Sequence, residues 1–174
     1  ALAVGYYFGF SFAEMKGAVA EFKGVKRRFE TVYEDSNRLV ISDYAHHPSE
    51  VKAVVNNLAE IETDKEKVVI FQPHQYIRTK RLLEKYEGVL EQDISSQAVM
   101  KIYKVREEVA EKELIDLGER LSQQISDQET HYFKTYAALK DWLADYQGKK
   151  GTIYLFLGAG DIDEWVREWV ESLK

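Results

Sequence analysis

The sequence predicts an α/β sandwich in which a mostly parallel sheet is flanked by helices. Three observations lead there. After Gly24, strand-like and helix-like stretches alternate along the chain. The run KVVIFQPH at 67–74 is apolar until its polar end, as in a strand buried on both faces of a parallel sheet. Chemically rich residues fall where strands would end, at Asp43 to His47, His74 to Arg78 and Gly158 to Asp161. Ligands of open α/β sheets bind beyond those carboxyl ends.

The elements follow in order. ALAVGYYFGFSFA has no basic residue before it and is too short to span a bilayer, so it reads as a packing segment rather than a leader. It runs into SFAEMKGAVAEF, a helix opened by a capping-box pattern of Ser11 with Glu14. Residues 1–22 are therefore expected as two short helical pieces, stopped near Gly24. A start in mid-helix without methionine is expected of a piece cut from a longer chain. RRFETVYED and RLVISDYA predict two strands joined by a polar turn at Asp35–Asn37. HPSEVKAVVNNLAEI predicts a helix. Pro48 suits its first turn, and Val51, Val54, Val55, Leu58 and Ile61 recur at helical spacing.

After the KVVIFQPH strand, residues 79–92 predict a helix with Leu82, Leu83, Tyr86, Val89 and Leu90 turned inward. AVMKIYKV reads as a strand, and 109–126 as a helix with Leu114, Leu117, Leu121 and Ile125 on one side. HYFKT is a short strand, ALKDWLADY a helix and GTIYLFLGAG the last strand. The final helix is expected to start near Asp161, with Glu164 completing a second capping-box pattern. Ile162, Trp165, Val166, Trp169, Val170 and Leu173 form its buried stripe.

Composition narrows the function. The 174 residues, 45% apolar and 31% charged, suit one globular domain. Eleven Tyr, eight Phe and three Trp argue against disorder. Without cysteine there is no disulfide, thiolate metal site or cysteine nucleophile. A net charge of −6 argues against a broad nucleic-acid surface. Positive charge is nevertheless concentrated in two clusters, Lys23, Lys26, Arg27 and Arg28, and Arg78, Lys80 and Arg81. Such clusters suit a small phosphate or carboxylate, or are plain solvated surface.

Four candidate sites stand out, each with a simpler reading beside it. In DYAHHP, Asp43 can accept from hydroxyls such as those of a ribose, and Tyr44, His46 and His47 can bind a carboxylate or take a proton from an amine. The simpler reading is a turn in which Asp43 or His47 caps the following helix. In FQPHQYIRT, polar residues end an apolar strand, and Arg78 has the fork geometry for a carboxylate. The alternative pairs Arg78 with an acid and buries His74 as a core histidine. In GVKRRF, Arg27 and Arg28 are expected to point to opposite sides as a strand begins, one reaching a phosphate, or both to lie in a basic turn. GAGD lacks the third glycine of a dinucleotide fingerprint, and a tight turn into a capped helix explains it. The rival reading gathers His46, His47, His74 and Asp43 around zinc or manganese in a metal-dependent hydrolase, though no ligand spacing such as HExxH is present. No GxxxxGK[ST] loop occurs, GKKGT at 148–152 included.

Taken together, the motifs resemble the Mur ligases, cytoplasmic enzymes that add amino acids to the peptidoglycan precursor. That family has a UDP-substrate domain, a central ATPase domain and a C-terminal Rossmann-like domain. The resemblance spans essentially the whole chain. Residues 1–23 look like the helical tail of the central ATPase domain, and 24–174 like the C-terminal, amino-acid-binding domain, a Rossmann-like three-layer sandwich. DYAHHP, FQPHQYIRT, IYKVRE and GAGD occur in the family's order. FQPH-x-Y-x-RT marks the branch that joins L-alanine to UDP-N-acetylmuramate, among sisters sharing an AHxP-type turn.

The resemblance implies roles residue by residue. Arg28 matches the arginine that reaches the ATP γ-phosphate across the domain cleft, and Asp43 the acid that contacts the nucleotide ribose. Tyr44, His46, His74 and Arg78 match positions lining the L-alanine site, with Arg78 clamping the carboxylate. Arg28 and His46 are the implied catalytic residues. The implied reaction makes an acyl phosphate from the muramoyl carboxylate and ATP, which the alanine amine then attacks. ATP and Mg²⁺ are implied for the full-length enzyme, with no metal ligand in this piece and neither bound to it alone. The implied partners are both substrates and the missing N-terminal and central domains, in the cytoplasm, with no nucleic acid or membrane. The fragment alone is expected to be inactive. Gln75 stands where some members place another arginine, so carboxylate binding rests more heavily on Arg78. Within the family, the rival is the ligase that recycles a murein tripeptide.

Overall fold

The structure, a computed structural model, describes residues 2–22, 24–146 and 151–174. Lys23 of the first basic cluster and 148–150 of GKKGT lie outside the described residues. Among the described residues, six strands form one sheet in the order β1-β2-β6-β3-β4-β5. These are β1 Glu30–Glu34, β2 Arg38–Asp43, β3 Glu66–Phe71, β4 Ser96–Met100, β5 Thr130–Phe133 and β6 Thr152–Leu157. β1 pairs antiparallel with β2 through the predicted Asp35–Asn37 turn, and the other neighbours are parallel. Asp35 closes that turn by accepting from the Asn37 and Arg38 N–H groups.

The pleat sorts side chains into two cores. Ile41, Val69, Phe71, Val99, Leu155 and Leu157 face one side. There they meet α3 (Pro48–Ala59), α5 (Glu111–Gln124) and a 3₁₀ turn at Leu83–Tyr86. Val40, Val68, Ile70, Met100, Tyr154 and Phe156 face the other side, against α6 (Tyr136–Asp145) and α7 (Ile162–Glu171). Helices on both faces of a mostly parallel sheet make the expected three-layer sandwich. No helix among the described residues is long and apolar enough to cross a membrane.

α1 (Leu2–Tyr7) and α2 (Phe12–Glu21) bury no side chain. The Ser11–Glu14 capping box forms as predicted. Tyr6, Tyr7, Phe8 and Phe12 are 79%, 84%, 71% and 70% exposed, with the Tyr7 and Phe8 rings in contact, and exposed apolar surface of this kind marks a contact face.

Three local expectations are corrected. The helix predicted over 79–92 is a six-residue α4 at Tyr76–Arg81, followed by the 3₁₀ turn. Apolar spacing located the buried Leu83, Tyr86, Val89 and Leu90 but could not tell one helix from two short turns. The strand read through AVMKIYKV ends at Met100, and beyond it a single parallel bridge joins His74 to Tyr103. The capping box at Asp161 does not form: Asp161 makes no cap bond to α7. Its Oδ1 instead accepts from the Tyr136 hydroxyl at 2.5 Å and from Gln72 Nε2 at 2.8 Å. Burial and that hydrogen bond to a carboxylate push the Tyr136 hydroxyl well above its ordinary pKa.

Candidate functional site

Because β6 is inserted between β2 and β3, the loops after these three strands meet at one end of the sheet. That crevice is the topological switch point at which α/β sheets bind ligands.

The loop after β2 is built around Asp43, which is 5% exposed. Its Oδ2 accepts from the Phe29 N–H and its Oδ1 from the Ala45 N–H, both at 2.7 Å. The carboxylate thus ties the arm before β1 to the turn after β2, and Tyr44 N–H donates to Arg27 O at 2.9 Å beside it. Arg27 and Arg28 do not straddle a strand as expected, because β1 begins only at Glu30. They sit in a turn where Arg27 has φ 57° and Phe29 φ 47°. Positive φ at a bulky residue is strained by roughly 1–3 kcal/mol and persists where surrounding contacts enforce it. Both guanidiniums lie over the Tyr44 ring, at 4.6 Å for Arg27 and 5.7 Å for Arg28. Arg27 is committed further: its Nη2 donates to Gly158 O at 2.8 Å. Arg28 is exposed and, among the described residues, forms no ion pair.

His46 is held on three sides. Its Nδ1 lies 3.1 Å from Tyr44 O, its N–H donates to Glu50, and its carbonyl accepts from the Tyr86 hydroxyl at 2.7 Å. A carbonyl beside Nδ1 assigns the proton of the neutral ring to that nitrogen, which leaves the Nε2 lone pair to accept one. His47 faces elsewhere. Its Nδ1 lies 2.8 Å from Ser49 Oγ and it caps α3 together with Glu50, so the simpler reading holds for it. Burial raises the Glu50 pKa, but the His47 and His46 N–H groups outweigh that and leave it lowered.

From β3 comes His74, stacked on Tyr103 at 5.6 Å and 15° and tilted against His46 at 5.6 Å. Its Nδ1 is buried without a hydrogen-bond partner among the described residues. Burial, then the charges of His46 and Arg78, lower its pKa below the usual 6.5. Between that lowered pKa and 6.5, the folded chain binds fewer protons than the unfolded one. Stability should therefore fall as pH is lowered through that window. An NMR titration of the His74 ring should give a midpoint below 6.5. A midpoint at or above that value would contradict the buried setting.

Arg78, half-buried on α4, lines an open pocket of about 450 Å³ with Gln75, Ile77, Arg81, Leu82 and Glu107. Among the described residues it pairs with no acid, so the alternative reading of Arg78 as a structural ion pair does not hold. GAGD wedges against this end of β3: a Cβ on Gly160 would lie 2.5 Å from Gln72 Oε1 and from the Tyr103 ring. Glycine is needed there for close approach, which fits the plain-turn reading of the motif.

Tyr44, His46 and His74 thus form a run of touching rings with Arg28 over Tyr44, while Arg78 lines the adjoining pocket, near enough for its charge to act on His74. The donor set of a metal hydrolase does not assemble. Asp43 is spent on backbone N–H groups, His47 on a helix cap, and no group of three or more metal-ligating side chains converges among the described residues. Sequence reasoning missed Tyr86, Tyr103 and Glu107, which hold the site from other elements. Glu107 lies in IYKVRE, so its motif was visible though its part was not.

Residues 27–160 match the family described as Mur ligase, glutamate ligase domain. The UDP-N-acetylmuramate–L-alanine ligase of Aquifex aeolicus is 33% identical over 174 residues, covering 99% of this chain and 36% of that protein. The crystal structure of UDP-N-acetylmuramate–alanine ligase from Thermotoga maritima superposes with a TM-score of 0.69 at 28% identity, covering 99% of this chain and 35% of that one. A murein peptide ligase from Psychrobacter arcticus shares the fold, with a TM-score of 0.62 at 19% identity over 98% of this chain and 35% of that one. This chain thus spans about a third of the length of the relatives it matches. With the match running from Arg27 through Gly160, across the loops after β2 and β3 and into the loop after β6, the chain belongs to the Mur ligase family, in its glutamate ligase domain.

Proposed function

We propose that this chain is the C-terminal, amino-acid-binding part of an ATP-dependent ligase that joins L-alanine to UDP-N-acetylmuramate through an acyl phosphate. The observation that carries the reading is the Arg78 guanidinium, which pairs with no acid among the described residues and whose charge acts on His74 of the His46–His74 ring pair. Arg78 would hold the alanine carboxylate with two parallel hydrogen bonds. His74, kept neutral by burial, and Tyr44 would flank the bound amino acid. As the C–N bond forms and phosphate leaves the acyl carbon, the amine proton would pass to His46 Nε2. Holding amine and acyl carbon together supplies most of the rate gain in such a reaction.

ATP with Mg²⁺ would supply the phosphoryl group that activates the muramoyl carboxylate. The exposed Arg28 guanidinium, without an ion pair among the described residues, fits a phosphate reached across a domain cleft. Asp43 we assign a positioning part, since burial and two backbone N–H groups commit its oxygens and leave a ribose hydroxyl little room. The aromatic surface of α1 and α2 supports reading residues 1–23 as the tail of a central ATPase domain, with 24–174 as the C-terminal domain. The phosphate loop, magnesium ligands and UDP-binding domain would come from the rest of the protein, acting in the cytoplasm.

The murein tripeptide ligase is the second reading, favoured by the shared fold of the Psychrobacter arcticus protein. Phosphate release by the complete enzyme, with L-alanine in competition with the murein tripeptide, separates the two.

A further inference from the structure

α4 carries Arg78 into the crevice, yet it is only six residues long. So short a helix does not hold its own direction, because ordering its first turn outweighs the few hydrogen bonds it closes. Its N-cap, Gln75, has φ 68° and makes no side-chain cap bond. The helix must be held from outside.

Two ties do this, both from the segment after β4. Gln75 N–H donates to Tyr103 O at 2.8 Å. Glu107 accepts the Tyr76 N–H on Oε2 at 2.8 Å and the Ile77 N–H on Oε1 at 2.9 Å. Arg106, with φ 51°, turns the chain just before it. One carboxylate thus satisfies two of the orphan donors at the start of α4, a task normally done by the N-cap side chain itself.

Glu107 also lines the same pocket as Arg78 and Arg81. Among the described residues it forms no ion pair with either. Both its oxygens accept from backbone N–H groups of α4 instead.

We propose that Glu107 is a positioning residue for amino-acid binding: it clamps the first turn of α4 so that Arg78 meets the substrate carboxylate. The proposal rests on the reading of Arg78 as the carboxylate ligand.

The test is a double-mutant cycle in the complete enzyme with Glu107→Ala, Arg78→Ala and the pair, plus Glu107→Gln as the variant that keeps one acceptor oxygen. Glu107→Ala should raise the alanine KM roughly tenfold while kcat and the KM values for ATP and the UDP-substrate stay within about twofold. Glu107→Gln should fall between. In the Arg78→Ala background, Glu107→Ala should add nothing to the alanine KM, because both act on one contact. Effects that add, or KM rises of equal size for all three substrates, would overturn the proposal and mark Glu107 as merely structural. If Glu107→Ala fails to fold, Glu107→Gln gives the same cycle. A normal alanine KM in both Glu107 variants beside a raised one in Arg78→Ala overturns this inference alone. A normal alanine KM in Arg78→Ala overturns both the inference and the reading of the site.

Discussion

Replacing Arg78 by alanine in the complete enzyme is expected to raise the alanine KM by roughly 30- to 700-fold, the equivalent of about 2–4 kcal/mol. The size follows from what would be lost. Arg78 is half-buried and pairs with no acid among the described residues, so a bound carboxylate would find its charge partner there. Gln75 stands at the neighbouring position and carries no charge to compensate. Arg78→Lys should recover only part of the loss, since an ammonium cannot reproduce a two-bond fork. The KM for the UDP-substrate should move by less than about twofold, because the muramoyl group belongs to other domains in this reading. Steady-state kinetics with each substrate varied in turn checks this. An unchanged alanine KM would remove Arg78 from the site.

Asp43→Ala should produce the second large effect, this time on stability. Asp43 is 5% exposed, and its two oxygens hold the Phe29 and Ala45 N–H groups at 2.7 Å each. Truncation leaves the buried Ala45 N–H and the part-buried Phe29 N–H without acceptors, at about 1–3 kcal/mol each, so a loss of roughly 2–6 kcal/mol is expected. Asn in its place keeps one acceptor oxygen and should lose about half. Urea unfolding of this chain measures both, and a loss below about 0.5 kcal/mol for the alanine variant would contradict the latch. The same variant should disturb Arg28 in the complete enzyme. The turn bearing Arg28 is flanked by positive-φ residues, Arg27 and Phe29, and Asp43 is what pins the Phe29 end of it. The expected signature is a fall in kcat/KM for ATP larger than that for alanine.

The sandwich is legible in the sequence because its sheet is buried on both faces. Val68 to Phe71 and Ile153 to Leu157 are apolar at every position, and such runs fit the middle of a parallel sheet. The placing of polar residues at strand ends is legible for the same reason: His74 and Asp43 stand out where an apolar run stops. What the sequence hides are contacts between distant segments. Asp161 has the local pattern of a helix cap, yet Tyr136 and Gln72 take its carboxylate, and neither is near it in the chain. Glu107 caps α4 from the far side of β4, where no short-range pattern reaches. The start of α4 at Tyr76, ahead of the expected 79, has the same origin, since the Gln75–Tyr103 and Glu107 ties set where it begins. For Arg27 and Arg28 the sequence left a strand start and a basic turn both open, and the structure has the turn, because what holds it, Asp43 and Gly158, is distant in the chain.

The most direct measurement is phosphate release in the presence of ATP and UDP-N-acetylmuramate, run with the complete enzyme and with this chain alone. With the complete enzyme, L-alanine should drive turnover and the murein tripeptide should not compete for it; this chain alone should release no phosphate. Preference for the tripeptide, or turnover by the isolated chain, would contradict the claim that the crevice of Tyr44, His46, His74 and Arg78 is the alanine half of a divided ligase site.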